Sequence, residues 1–161
     1  MKITSLALAA SLVLMGCTTP SRPPLAQGTP TPQEWQGRMS VSVQSTPPTS
    51  ISAGFLLRGS ATHGELDLYS PLGTTLAALQ WTPQSVQLLQ SNNPEHFESL
   101  DQLTEKTTGA ALPIDAIFGW LHGRSLTAQG WQADLTDVSK GRVTAVRNAP
   151  LPEVTLRIQL D

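Results

Sequence analysis

Apolar side chains recur at every second position through most of this chain, and that period limits what it can fold into. Met39, Val41 and Val43 share one face, with Ser40, Ser42 and Gln44 on the other. Ile51, Ala53, Phe55 and Leu57 form a second set after the Thr46-Pro47-Pro48 break. Leu66 and Leu68 alternate with Glu65, Asp67 and Tyr69, and Ser70-Pro71-Leu72-Gly73 then reads as a turn. Ala77, Leu79 and Trp81 follow, and after Pro83 come Val86, Leu88 and Gln90. Successive side chains of a strand point to opposite faces, so this pattern predicts an antiparallel meander with one buried face.

The period changes in the middle. Asn93-Pro94-Glu95 reads as an N-cap, first-turn proline and acidic first turn, with Phe97, Leu100 and Leu103 at helical spacing and Gly109 as the stop. Pro113 opens a second short helix that places Ile114, Ile117, Phe118 and Leu121 on one face and ends at Gly123. Strands then resume around Trp131, Ala133 and Leu135, over residues 142–147, and through Val154, Leu156, Ile158 and Leu160. The expectation is eight strands and two helices, the helices covering one opening or face of a curved sheet.

The N-terminus is of another kind. Lys2 and the apolar residues 3–15 make a charged n-region and an h-region too short to span a bilayer, followed by Gly16 and Cys17, the only cysteine. Leu14-Met15-Gly16-Cys17 resembles the bacterial lipobox, which implies cleavage before Cys17 and acylation of that residue. Acylation also accounts for an odd cysteine in an exported chain. Burial of each acyl methylene contributes about 0.8 kcal/mol, and two chains already anchor stably. The 161 residues less 16 leave 145, enough for one domain with a core. Residues 17–34 hold Pro20, Pro23, Pro24, Pro30 and Pro32 with few large apolar side chains, and read as a tether before a folded domain at 35–161.

Charge excludes one class of partner. Without Lys2, 9 Lys and Arg stand against 12 Asp and Glu, a net of −3, and no basic block exists to hold nucleic acid.

The order of the pieces carries a resemblance. Behind the lipobox and Pro-rich tether come Trp35-Gln36-Gly37-Arg38-Met39-Ser40-Val41 and Leu66-Asp67-Leu68-Tyr69-Ser70-Pro71-Leu72-Gly73-Thr74-Thr75. Leu112-Pro113, Trp120-Leu121-His122-Gly123-Arg124 and Gly130-Trp131 follow. In this order they resemble the LolB family of outer-membrane lipoprotein receptors, over about the whole mature domain. The resemblance implies a mainly β fold, a half-open antiparallel β-barrel with a short helical lid over an apolar cavity. It also implies a protein that takes acylated lipoprotein cargo from the periplasmic carrier LolA and releases it into the inner leaflet of the outer membrane, with outer-membrane lipid as a further partner. The protein is expected to act as a monomer, without a cofactor.

On this reading the acyl-cavity candidates are Met39, Val41, Phe55, Leu57, Leu66, Leu68, Leu79, Trp81, Leu88, Ile117, Phe118, Leu121, Leu156 and Ile158. Alternation alone is equally that of a packed core, and only the resemblance favours a cavity. Leu72 lies between Pro71 and Gly73 at the tip of a connection. The matching leucine of the family stands on a protruding loop and promotes membrane delivery, so that role is carried to Leu72. The plain alternative is a leucine folded back onto its own sheet.

The polar candidates are weak. His63, His96 and His122 lie on unrelated segments without metal-ligand spacing, so no metal site is expected, and His122 reads as a solvated group at a helix C-terminus. No Gly-x-Ser-x-Gly elbow is present, and the one cysteine is committed to the anchor, which argues against an enzyme. Glu65 and Asp67 read as a solvated outer face rather than a catalytic pair. Arg38 either pairs with a lid carboxylate or sits at the rim, and receives no role. The competing function is a structural lipoprotein scaffold of an outer-membrane assembly, with no lipid cavity.

Overall fold

A computed structural model describes residues 33–90 and 93–161. Cys17 and the leader lie outside the described residues, as does all of the expected tether before Gln33. Nine strands form one sheet: β1 (Glu34–Val43), β2 (Thr49–Gly59), β3 (Gly64–Tyr69), β4 (Thr75–Thr82), β5 (Ser85–Gln90), β6 (Asn93–Phe97), β7 (Trp131–Asp134), β8 (Arg142–Arg147) and β9 (Val154–Leu160). Their spatial order is β6-β5-β4-β3-β2-β1-β9-β8-β7, every neighbouring pair antiparallel. The sheet does not close, since β6 and β7 are its two edges. Glu34, counted above with the tether, is the first residue of β1.

The alternation fixes the register. Met39 lies opposite Ala53 of β2 and Ile158 of β9, and Val41 opposite Ile51 and Leu156, so inward positions align across strands. A slip of one residue would turn this whole set to solvent. Helices α1 (Leu100–Thr108) and α2 (Ile114–Leu121) lie between β6 and β7 in the chain, and their buried side chains join those of the sheet in one core.

The first helix differs from its expected start. Asn93–Phe97 is not its first turn but β6, paired with β5 from Val86↔Phe97 to Gln90↔Asn93. Pro94 is tolerated there because β6 is an edge strand, where a residue without an N–H breaks no interior ladder. The true cap is Ser99, whose hydroxyl accepts from the Gln102 N–H at 3.1 Å, while the Gln102 side chain takes the Glu98 N–H at 3.1 Å. Gly109 then ends α1 in the left-handed region, φ +82°, its N–H returned to the Glu105 carbonyl. Among the described residues the strand count is accordingly nine rather than eight.

Candidate functional site

Helix α2 is apolar almost throughout, and six of its eight residues, from Ala116 to Leu121, are buried. An eight-residue helix has little stability of its own, so side-chain packing holds it in place. Trp35 on β1 meets Phe118 edge to face at 5.4 Å between ring centroids, and His122 at 5.0 Å. Trp81 also lies edge to face with Phe118, at 6.3 Å between ring centroids, and its indole N–H reaches the Ser60 and Ala61 carbonyls. Fully buried Trp120 donates to the Leu126 carbonyl at 3.0 Å and lies 6.3 Å from Trp131. Gly119 permits the returning chain to cross here, since a Cβ at that position would stand 2.3 Å from Leu126.

Between these helices and the sheet lies an apolar cavity of about 50 Å³. Eleven of the fourteen residues read from the sequence as cavity candidates line it: Met39, Phe55, Leu57, Leu66, Leu68, Leu79, Trp81, Ile117, Phe118, Leu121 and Ile158. Val41, Leu88 and Leu156 are buried in the same core but do not line the space. The sequence reading missed Leu112, Ile114 and three threonines of α1, Thr104, Thr107 and Thr108. The threonine hydroxyls donate to the carbonyls of Leu100, Leu103 and Thr104 respectively, at 2.8–2.9 Å. Thr104 also accepts the Leu112 N–H at 3.0 Å. With their hydroxyls committed to backbone, these residues leave the wall effectively hydrocarbon.

A space of this size has room for a few water molecules, each of which needs about 10–15 Å³.

Outside the cavity, Leu72 is 94% exposed. The Gly73 N–H bonds the Ser70 carbonyl at 2.9 Å, and Gly73 takes φ +81°, so the turn is tight and points its leucine away from the sheet. Leu151, in the β8–β9 loop, is 81% exposed. The sequence reading passed over it, although Pro150-Leu151-Pro152 carries the same signal as Pro71-Leu72-Gly73.

Glu65 and Asp67 stand on the outer face and share the Arg58 guanidinium, at 3.2 and 3.4 Å, while Glu34 takes its Nε at 3.0 Å. The Tyr69 hydroxyl donates to Asp67 at 3.3 Å, and burial, with the Asp67 charge second, raises its pKa above the ordinary tyrosine value. Arg38 is exposed on the outer face of β1 and forms no ion pair among the described residues. His122 is tied rather than free, its Nδ1 at 2.6 Å from the Phe118 carbonyl. Among the described residues no cluster of three His, Cys, Asp or Glu could hold a metal ion, and no helix is long and apolar enough to cross a membrane.

The molecule is thus a half-open antiparallel β-barrel covered by two helices, with a central site built from hydrocarbon. The family model for "Outer membrane lipoprotein LolB" matches residues 33–159. The outer-membrane lipoprotein LolB of Cupriavidus metallidurans is 32% identical over 152 residues, covering 92% of this chain and 74% of the relative. That of Cupriavidus necator is 33% identical over 143 residues, covering 86% and 72%. The protein of the same name from Shewanella baltica is 30% identical over 126 residues, 73% of this chain and 56% of the relative. The chain belongs to the LolB family of outer-membrane lipoproteins, receptors in lipoprotein localisation.

Proposed function

We propose that this chain, anchored through acylated Cys17, accepts lipoproteins from a LolA-type periplasmic carrier and inserts them into the inner leaflet of the outer membrane. Residues 1–16 act as the leader, the Pro-rich stretch from Cys17 as the tether, and the β domain as the lipid-binding body, working as a monomer. The observation that carries this reading is the hydrocarbon wall between the two helices and the sheet. Exposing about 15 acyl methylenes to water costs on the order of 10 kcal/mol, so a carrier-to-membrane transfer needs a continuous apolar shelter. Helices α1 and α2 serve as the lid: they close on one another's side chains when empty and swing outward to seat the acyl chains against the lining residues. Leu72 supplies the apolar point at which the domain meets the bilayer during release.

The test is transfer of an acylated lipoprotein from LolA to the purified protein carrying Cys17→Ala. Formation of a soluble one-to-one complex, with displacement of a fluorescent apolar probe by the cargo, is expected. A folded protein that takes neither cargo nor probe would leave the scaffold reading standing. Mass spectrometry of the mature protein from cells is expected to find residues 1–16 absent and Cys17 lipid-modified; an unmodified thiol would remove the anchor from this account.

A further inference from the structure

Among the described residues, Leu72 is one of two leucines held almost wholly in water. A single exposed leucine is ordinary on a protein surface, so exposure of Leu151 alone carries nothing. Its position carries more. The sheet is antiparallel throughout, so the β3–β4 turn bearing Leu72 and the β8–β9 loop bearing Leu151 leave the same end of the strands. Both leucines therefore crown one rim of the half-barrel.

The loop is also built to hold Leu151 out. Proline on each side fixes the backbone and removes two donors. At its base Gly130, φ +77°, lies so close that a Cβ there would stand 1.8 Å from the Ala149 carbonyl oxygen. Beneath the loop sits a cation: the Arg147 guanidinium lies over the Trp131 ring at 5.8 Å, and its Nη2 reaches the Pro152 carbonyl only at 3.5 Å. Its Nε is buried without a hydrogen-bond partner, and no carboxylate lies within ion-pair distance among the described residues. Arg147, Trp131 and Pro150 line one open groove beside the lid.

We propose that the β8–β9 loop is a second membrane-contact point, at which Leu151 enters the bilayer interface and Arg147 takes a phospholipid phosphate. An apolar tip above an aromatic ring and a cation with unused donors matches the layering of a bilayer, hydrocarbon below and phosphate above. The inference rests on the reading of this domain as one that works at the membrane surface. The tether does not prevent it. Gln33 enters β1 at the opposite end of the strands, but the stretch from Cys17 to Gln33 can extend to ~55 Å. That exceeds the ~36 Å length of β2, the 11-residue longest strand. Two contacts on one rim would also fix the orientation of the domain, which one contact cannot.

Cys17 is the only cysteine, so Leu151→Cys and Leu72→Cys in the full mature chain carrying Cys17→Ala each give one labelling site. Each is labelled with an environment-sensitive dye and mixed with phosphatidylethanolamine–phosphatidylglycerol vesicles containing nitroxide-bearing lipid. Quenching at position 151 is expected. Quenching at 72 but not at 151 would overturn the second contact and leave the proposed function intact. Quenching at 151 alone would keep this contact and remove the role of Leu72, whereas quenching at neither would overturn both. Arg147→Gln should weaken vesicle binding about fivefold, the effect of one interfacial charge, and added salt should narrow the difference from the parent. Arg147→Lys, which keeps the charge, should restore binding. An equal loss in both variants would mean that Arg147 merely packs on Trp131, and the phosphate contact would fall.

Discussion

Trp35 and Phe118 meet edge to face, with ring centroids 5.4 Å apart, and this contact joins the first strand to the helix that covers the cavity. Such a pair contributes about 0.5–1.5 kcal/mol beyond the area it buries. The same indole stands 5.0 Å from His122, so one side chain secures the C-terminal end of α2.

Replacing Phe118 by Asp places an ionised carboxylate in a hydrocarbon wall without a partner. Phe118→Asp is expected to melt at a lower temperature and to lose binding of an apolar probe and of acylated cargo. Trp35→Leu is the gentler companion, expected to stay folded and to admit the probe faster in stopped-flow measurements. A folded Phe118→Asp protein that accepts cargo normally would remove α2 from the binding site.

Thr104 is 3% exposed, and its hydroxyl both donates to the Leu100 carbonyl and accepts the Leu112 N–H. Thr104→Val keeps the shape but leaves that buried N–H unpaired, at a cost of about 1–3 kcal/mol. Chemical denaturation is expected to show a loss in this range. Probe binding should persist, because the wall gains rather than loses apolar surface.

Leu72→Glu should behave in the opposite way. A surface change away from packing features alters stability by about 0.5 kcal/mol or less, against about 2–5 kcal/mol for a buried leucine cut to alanine. Melting is expected to stay near that of the parent, and cargo is expected to pass normally from the carrier. Release into vesicles is the step that should fail. A large fall in melting temperature, or full release by the folded variant, would contradict the assignment.

The Asp134 carboxylate accepts the Thr136 N–H at 3.0 Å and the Thr136 hydroxyl at 2.7 Å, and these bonds, the backbone one foremost, hold its pKa below the ordinary aspartate value. A depressed folded-state pKa contributes stability that is present above the unfolded value of about 4 and is lost as pH falls through the folded one. Melting followed from about pH 5 downward should therefore show a component that Asp134→Asn removes.

The sheet was legible because period two has no other reading at this density, and Met39, Phe55, Leu57, Leu79 and Ile158 all face inward as the alternation requires. What misled was chemistry with two uses. Asn93-Pro94-Glu95 has the composition of a helix start, yet proline serves equally on an edge strand, and Ser99 with Gln102 three places on was the better helix signal. Threonines count as polar in any periodicity, so Thr104, Thr107 and Thr108 were invisible as wall. Only the structure shows their hydroxyls turned to the helix backbone. Val41, Leu88 and Leu156 carry the same pattern as the lining residues, because alternation reports which face a residue is on and not whether space lies beyond it.

The unclosed edge between β6 and β7 sets how this molecule can change size. In a sealed cylinder, any widening must tear a backbone ladder. Here no backbone ladder joins β6 to β7, so these two edges can move apart without breaking one. On the proposed function, an acyl chain entering beneath the helices is accommodated by such movement. Swelling then leaves every strand with the neighbour it already has.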